Sequence, residues 1–213
     1  MNEFTTWHNE MIGGSVVEAL KNNGFEAEYC ADREEAVSRL LELIPETASV
    51  GCGGSWTIKQ LGVADKLAER GNTMLDHGAP GLTNEQKNEI RKQQQICDVF
   101  LAGSNAVTMD GSLVNMDGTG NRVSAMIYGP DKVIIVAGTN KIVRDVAAAE
   151  ERIRTKAAPI NNKRIGSPNP CTRTGVCMDC EGPTRICNVL TVIKRKPGGT
   201  NFHVLIVGED LGF

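Results

Sequence analysis

Short apolar runs alternate with helical segments through the first half of the chain, and that rhythm leaves few folds open to it. Residues 4–23 carry Phe4, Trp7, Met11, Val17 and Leu20 near helical spacing, and Asn22-Asn23-Gly24 stops them. Residues 25–29 alternate like a half-buried strand, and Asp32 with Glu35 makes a capping-box pattern ahead of Ala36, Val37, Leu40 and Leu41. The pattern then repeats: a strand at 48–51, a helical segment from about Trp56, a strand at 73–75, a polar helix over 84–97 capped by Thr83 and Gln86, and a strand at 98–102. Parallel strands need a crossover between them, and a helix lying on the sheet is the usual one. The expected fold class is therefore α/β, a largely parallel sheet flanked by helices.

Across residues 106–128 the rhythm changes. Asp110-Gly111 and Asp117-Gly118 separate short runs, the pattern of tight turns between antiparallel strands, so an added antiparallel hairpin region is expected. Residues 132–137 are the most apolar run, as suits a strand buried on both faces at the sheet centre. An alanine-rich helix over 143–156 is ended by Pro159, and the last two strands, 189–194 and 202–207, are joined by Pro197-Gly198-Gly199. With 213 residues and no internal repeat, residues 1–213 read as one domain, with 159–187 inserted as a loop before the last two strands.

The strand at 48–51 opens into Gly51-Cys52-Gly53-Gly54-Ser55-Trp56-Thr57. This loop lacks the third glycine of the dinucleotide fingerprint, where Trp56 stands, and the Gly-Lys-Ser/Thr of a P-loop. It shares their physics: glycines let successive N–H groups curl towards an anion at a helix start, and Ser55 and Thr57 add hydroxyls. In open α/β sheets ligands sit at the carboxyl ends of strands, where this loop belongs. Gly51, Gly53, Gly54, Ser55 and Thr57 are thus candidates for a small anionic ligand, the alternative being a tight turn that binds nothing. Asn121-Arg122 and Asn140-Lys141 each set a cation beside an amide near a strand end, an arrangement that suits a carboxylate or phosphate and equally a solvated pair. Asn105, Asp110, Asn115 and Asp117 read as turn residues. Of His8, His77 and His203, none has metal spacing, and His77, just after a strand, is the best placed. Glu209 is a carboxylate with no partner visible in the sequence.

Cys171, Cys177, Cys180 and Cys187 follow a C-x5-C-x2-C-x6-C spacing in a stretch without apolar periodicity. Structureless loops longer than about 12–15 residues are uncommon in compact domains unless they are functional or disordered, so something other than a hydrophobic face must order this one. The inner C-x2-C lets two thiolates reach one centre from a single turn. An iron–sulfur cluster, structural zinc and reduced thiols all fit, and the presence of only one C-x2-C knuckle favours iron–sulfur over zinc. Cys30, Cys52 and Cys97 are scattered and read as small buried thiols.

A net charge of −3 offers no attraction to nucleic acid, and Lys194-Arg195-Lys196, ahead of Pro197-Gly198-Gly199, reads as a solvated hairpin turn between the last two strands. No apolar run approaches the ~20 residues of a membrane span, and residues 1–11 lack the basic start and apolar core of a signal peptide. The expected location is the cytoplasm, where thiols stay reduced and clustered cysteines bind metal. The default oligomer is a homodimer.

Several runs together resemble one family. Gly53-Gly54-Ser55-Trp56-Thr57-Ile58, Ser104-Asn105-Ala106-Val107-Thr108-Met109-Asp110-Gly111 and Asn115-Met116-Asp117-Gly118-Thr119-Gly120-Asn121-Arg122-Val123 are similar to the lactate-utilisation (LUD) domain of LutC/YkgG-type proteins. So are Tyr128-Gly129-Pro130, Gly138-Thr139-Asn140-Lys141-Ile142-Val143, the cysteine run and the closing Val207-Gly208-Glu209-Asp210-Leu211-Gly212-Phe213. The resemblance implies the fold of ribose-5-phosphate isomerase, glucosamine-6-phosphate deaminase and CoA transferases, in which the loop matching residues 51–57 meets a phosphate or CoA-type ligand. It also implies work beside iron–sulfur subunits of a complex that oxidises L-lactate to pyruvate. It assigns no catalytic residue. Three functions follow as expectations: an accessory redox subunit in lactate oxidation, a stand-alone binder or enzyme for a phosphorylated or CoA-like small molecule, and a zinc-stabilised regulatory module.

Overall fold

A computed structural model describes residues 2–213. The alternation in the sequence becomes a six-stranded sheet with every neighbouring pair parallel. Its strands are β1 (Glu26–Cys30), β2 (Ser49–Cys52), β3 (Thr73–Asp76), β4 (Val99–Gly103), β7 (Lys132–Gly138) and β10 (Asn201–Val207), in the order β1-β10-β7-β4-β2-β3. β7 lies inside the sheet, as its apolar run requires. Its Val133, Ile135 and Ala137 face one core with Val16, Val17 and Leu20, while Ile134 and Val136 face a second core with Ala36, Val37 and Leu40. The helices carrying those residues, α1 (Glu3–Asn22) and α2 (Arg33–Leu43), cover the two faces. The Asp32 carboxylate accepts from Glu35 N at 2.8 Å, while the Glu35 side chain reaches back to Ala31 N at 2.7 Å.

α3 (Trp56–Leu61), α4 (Val63–Glu69) and α5 (Asn84–Gln93) link β2, β3 and β4. Thr83 and Gln86 complete a reciprocal capping box at the start of α5. Among the described residues no helix is long and apolar enough to cross a membrane.

The expected antiparallel region is part of a second, mixed sheet, ordered β8-β5-β6-β9, from β5 (Ala106–Thr108), β6 (Leu113–Asp117), β8 (Ile142–Val143) and β9 (Val189–Ile193), antiparallel except where β8 runs parallel to β5. Asp110-Gly111 turns β5 into β6 as expected, with Gly111 at φ +80°. Three other expectations are corrected. Asp117-Gly118 makes no hairpin; Asp117 ends β6 and its carboxylate accepts the N–H groups of Arg122 and Val123, starting α6 (Asn121–Ile127). Pro159 does not end the alanine-rich helix. α7 (Val146–Arg152) runs through a π-helical turn at Ile153–Ala157 into α8 (Ala158–Arg164), and the proline sits in the first turn after that widened stretch, where the regular hydrogen-bond ladder is already interrupted. The last two strands do not pair with each other: β9 pairs with β6 in the small sheet, and β10 enters the large one between β1 and β7. Residues 165–188 hold one short helix, α9 (Cys171–Thr174).

Candidate functional site

A cleft of ≈ 290 Å³ opens at the carboxyl ends of β2, β3 and β4, with α6, α8 and the C-terminal residues completing its walls. β2 delivers the glycine loop there. Gly54 adopts φ +70°, a conformation that disfavours any side chain, and Gly53 lies so close to His77 that a Cβ would stand 2.1 Å from its Cε1. Ser55 caps α3 through its hydroxyl, which accepts from Ile58 N at 3.4 Å. Trp56 stacks against Phe213 at 5.8 Å, and Arg164, which donates to Gly54 O at 3.0 Å, lies over the indole.

Lys141 is the unusual group. It is 4% exposed and borders the cleft, and its Nζ donates to Thr57 Oγ1 at 2.6 Å. Burial, with the nearby charges of Arg152 and Arg122, pulls its pKa from 10.5 down to about 7. Among the described residues no carboxylate forms an ion pair with it. An ammonium taken out of water without a counter-ion is costly, and the deprotonated form is favoured until an anion arrives.

Arg122 is differently placed. Its Nε donates to Asp117 (2.9 Å), Nη1 to Gly103 O (2.9 Å) and Asn115 (2.7 Å), and Nη2 to Asn105 (3.1 Å) and Met116 O (3.0 Å). All five N–H donors are used within the protein. Arg122 therefore clamps β4, β6 and α6 together, its charge offset by the Asp117 carboxylate. Arg152 ties the π-turned helix to the site by donating to Asn105 O at 2.7 Å and to Asn140 O at 3.2 Å, and its Nη2 is buried without a hydrogen-bond partner among the described residues. Its pKa too is lowered by burial. Cationic side chains thus outnumber anionic ones around the floor of the cleft.

Of the candidates read from sequence, Gly53, Gly54, Ser55, Thr57, Asn121, Arg122 and Lys141 line the cleft together. Gly51 does not border it; it sits within β2, where its α-carbon packs against Cys97 and Phe100. Asn140 also turns away, its Oδ1 accepting from Leu211 N at 3.1 Å and fixing the C-terminal segment. Glu209 pairs with Arg33 at 2.7 Å, and His203 lies between Glu26 and Glu28. Arg164 and Gln94 have no signal in the sequence, because nothing in a polar helical segment says which side chain turns inward.

The cysteine segment forms the adjoining wall. Cys171, Cys177, Cys180 and Cys187 all border one cavity of ≈ 20 Å³, and Cys187 and Ile186 border the main cleft as well. Asp179, at φ +47°, tightens the Cys177–Cys180 turn and donates its N–H to Cys177 Sγ at 3.4 Å. Arg185 holds the turn through Cys180 O (2.6 Å) and Asp179 (3.0 Å). Burial and then the neighbouring cysteines raise the pKa of Cys171 and of Cys187, with Arg185 opposing at Cys187, so these two thiols hold their protons more tightly than a free cysteine does. The donor set suits iron or zinc. Among the described residues no three His, Cys, Asp or Glu side chains are gathered closely enough to hold a metal as they stand.

Comparison with solved structures finds a DUF162 family protein from Deinococcus radiodurans at 15% identity and TM-score 0.55, covering 93% of this chain and 98% of that one. Ribose 5 phosphate isomerase A from Neisseria gonorrhoeae is similar at 15% identity and TM-score 0.34, over 52% of each chain. eIF2B delta from Chaetomium thermophilum is similar at 18% identity and TM-score 0.32, over 64% of this chain and 50% of that one. No curated protein matches the chain. Residues 14–207, from within α1 to the end of β10 and spanning the glycine loop, Lys141 and the cysteine segment, match the LUD domain, and the chain belongs to that family.

Proposed function

We propose that this LUD protein binds a small organic anion, a carboxylate of the lactate and pyruvate class or a phosphorylated equivalent, in the cleft at the carboxyl edge of its sheet. One observation carries the reading: the buried Lys141 amine borders the cleft with no carboxylate beside it to hold its proton. A bound anion supplies the missing charge. The glycine loop and the Ser55 and Thr57 hydroxyls offer hydrogen bonds around it, and Arg152, whose Nη2 has no hydrogen-bond partner among the described residues, adds long-range attraction. Trp56 and Arg164 also line the cleft. The test is a thermal-shift series on the whole chain with L-lactate, pyruvate, ribose 5-phosphate and coenzyme A. At least one should stabilise the protein, and the shift should vanish in Lys141→Met; equal shifts in both proteins would refute the site.

A second reading rests on a separate observation, that the four cysteines border one cavity sharing a wall with the cleft. Cys171, Cys177, Cys180 and Cys187 would hold an iron–sulfur cluster, which supplies one-electron transfer when bound. The chain would then serve as an accessory redox subunit beside the iron–sulfur subunits of a lactate-oxidising complex. Metal and sulfide analysis after anaerobic purification decides it. Iron with labile sulfide supports the redox role; zinc indicates a structural site, and absence of both rejects a metal.

A further inference from the structure

His77 follows β3 and lies across the glycine loop, where bare Gly53 makes room for its ring. Its Nδ1 is 3.1 Å from Gln94 Oε1. The protonation of the two ring nitrogens is set by Gln94. That residue is fully buried, and its amide nitrogen donates to Cys52 O at 2.6 Å and Leu75 O at 2.7 Å. Turning the amide over would set its oxygen against two carbonyl oxygens, so Oε1 is fixed towards the imidazole. Oε1 only accepts, so Nδ1 carries the hydrogen. A neutral ring then has its lone pair on Nε2, which makes no hydrogen bond among the described residues, and His77 borders the cleft with Ser55, Arg122 and Lys141.

Burial, more than the charges around the ring, favours its neutral form. Burial lowers its pKa below the ordinary 6.5, the bond to Gln94 opposes that, Arg91 lowers it further, Asp76 raises it and Lys87 lowers it. A carboxylate in the place of Gln94 would stabilise the imidazolium far more than the neutral amide does. The arrangement therefore fixes the tautomer and keeps the ring in its basic form.

We propose that His77 is a general base for the ligand of the cleft, taking a proton on Nε2 from a C–H or O–H group next to the carboxylate or phosphate that Lys141 attracts. This rests on the anion-site reading above. In the step the Nε2–H bond forms and the ligand's C–H or O–H bond breaks. The electron pair stays on the ligand as an enolate or alkoxide. The imidazolium keeps its Nδ1–H on Gln94, and the amide does not take that proton, so the proton gained remains on Nε2 for return to the ligand. No oxidant is consumed, and the substrate class is a small anion with a hydroxyl group or an enolisable hydrogen.

The test has two parts. Long-range proton–nitrogen spectra of the ¹⁵N-labelled chain read the tautomer directly, with His77→Gln assigning the signals. His77 should be neutral at pH 7 with its proton on Nδ1; an Nε2–H tautomer or an imidazolium overturns the proposal whatever binds. In deuterium oxide the probe is pyruvate, whose methyl hydrogens are enolisable. The wild-type chain should exchange them, and His77→Gln should exchange them at least about 100-fold more slowly while binding pyruvate within a few-fold, because Lys141 is untouched. Binding without exchange in the wild type, or equal exchange in the variant, overturns the role of His77 and leaves the anion site standing. Absence of binding overturns the anion site for this class, and the tautomer then judges His77 alone.

Discussion

Replacing Lys141 with methionine should stabilise the ligand-free protein, which is the opposite of what most buried substitutions do. The side chain is 4% exposed and its pKa falls from 10.5 to about 7. The unfolded chain therefore holds a proton that the folded chain releases between those two values. A displacement of that size is worth about 4 kcal/mol of folding free energy at pH 7. Methionine fills similar space without the charge. Thr57 Oγ1 loses its donor at 2.6 Å, which costs about 1 kcal/mol or somewhat more. The expected net gain is about 2–3 kcal/mol, or roughly 5–10 °C in Tm for a chain of this size. The pH dependence is a second signature. Because the folded state binds fewer protons, wild-type stability rises as pH increases from about 7 towards 10.5, by up to about 1.4 kcal/mol per unit, and the variant lacks that contribution. Urea unfolding at pH 7, 8 and 9 measures both. A variant less stable than wild type at every pH, with an unchanged slope, would show that Lys141 is charged and paired in the native state and would refute the reasoning.

Three further predictions follow from the same geometry. Asp117→Ala removes the carboxylate beside the Arg122 guanidinium and the cap of α6, and should cost about 3–5 kcal/mol, read by urea unfolding as a lower midpoint. Gly53→Ala places a Cβ 2.1 Å from Cε1 of His77, so the ring must leave its seat; the His77–Gln94 bond should disappear from the histidine nitrogen spectrum while the fold persists by circular dichroism. If the four cysteines hold a metal, chelation should speed amide exchange across residues 171–187 and leave β7 and β10 protected; uniform protection with and without chelator would count against a structural metal there.

The sheet was legible because its signal is local and repeated. Each strand from β1 to β4 is a short apolar or alternating run bounded by a helix cap or a glycine, and Asp32 and Thr83 mark helix starts by chemistry that needs no tertiary context. Asp110-Gly111 was legible for the same reason. Asp117-Gly118 was not, because the Asp117 carboxylate serves N–H groups five and six residues ahead instead of a two-residue turn. The link after Lys194 misled because a Pro-Gly-Gly turn says nothing about whether the strands on either side share a sheet, and here they do not. Pro159 misled because a π-turn resets the helix just ahead of it.

At the site, the residue type carried part of the answer. A glycine loop after a strand and a cation after β7 both come to the cleft. Asn140 and Lys141 are adjacent in sequence and take opposite sides, one fixing the C-terminal segment and the other facing Thr57, a divergence that only the backbone of the short 3-10 turn decides. Arg122 read as a free cation and is a saturated clamp, since its five acceptors come from β4, β6 and the loop at Asn105. Gln94 is the extreme case, a polar residue at the end of a polar helix that turns fully inward.

The central claim is that the cleft binds an anion by charging Lys141, and proton uptake on binding tests it most directly. Calorimetric titration of pyruvate at pH 8, in two buffers of different ionisation enthalpy, counts the protons. With a free-state pKa of about 7, Lys141 is mostly neutral there, and binding should take up about 0.9 proton per anion; Lys141→Met should take up none. Binding with no proton uptake, or the same uptake in the variant, would contradict the account.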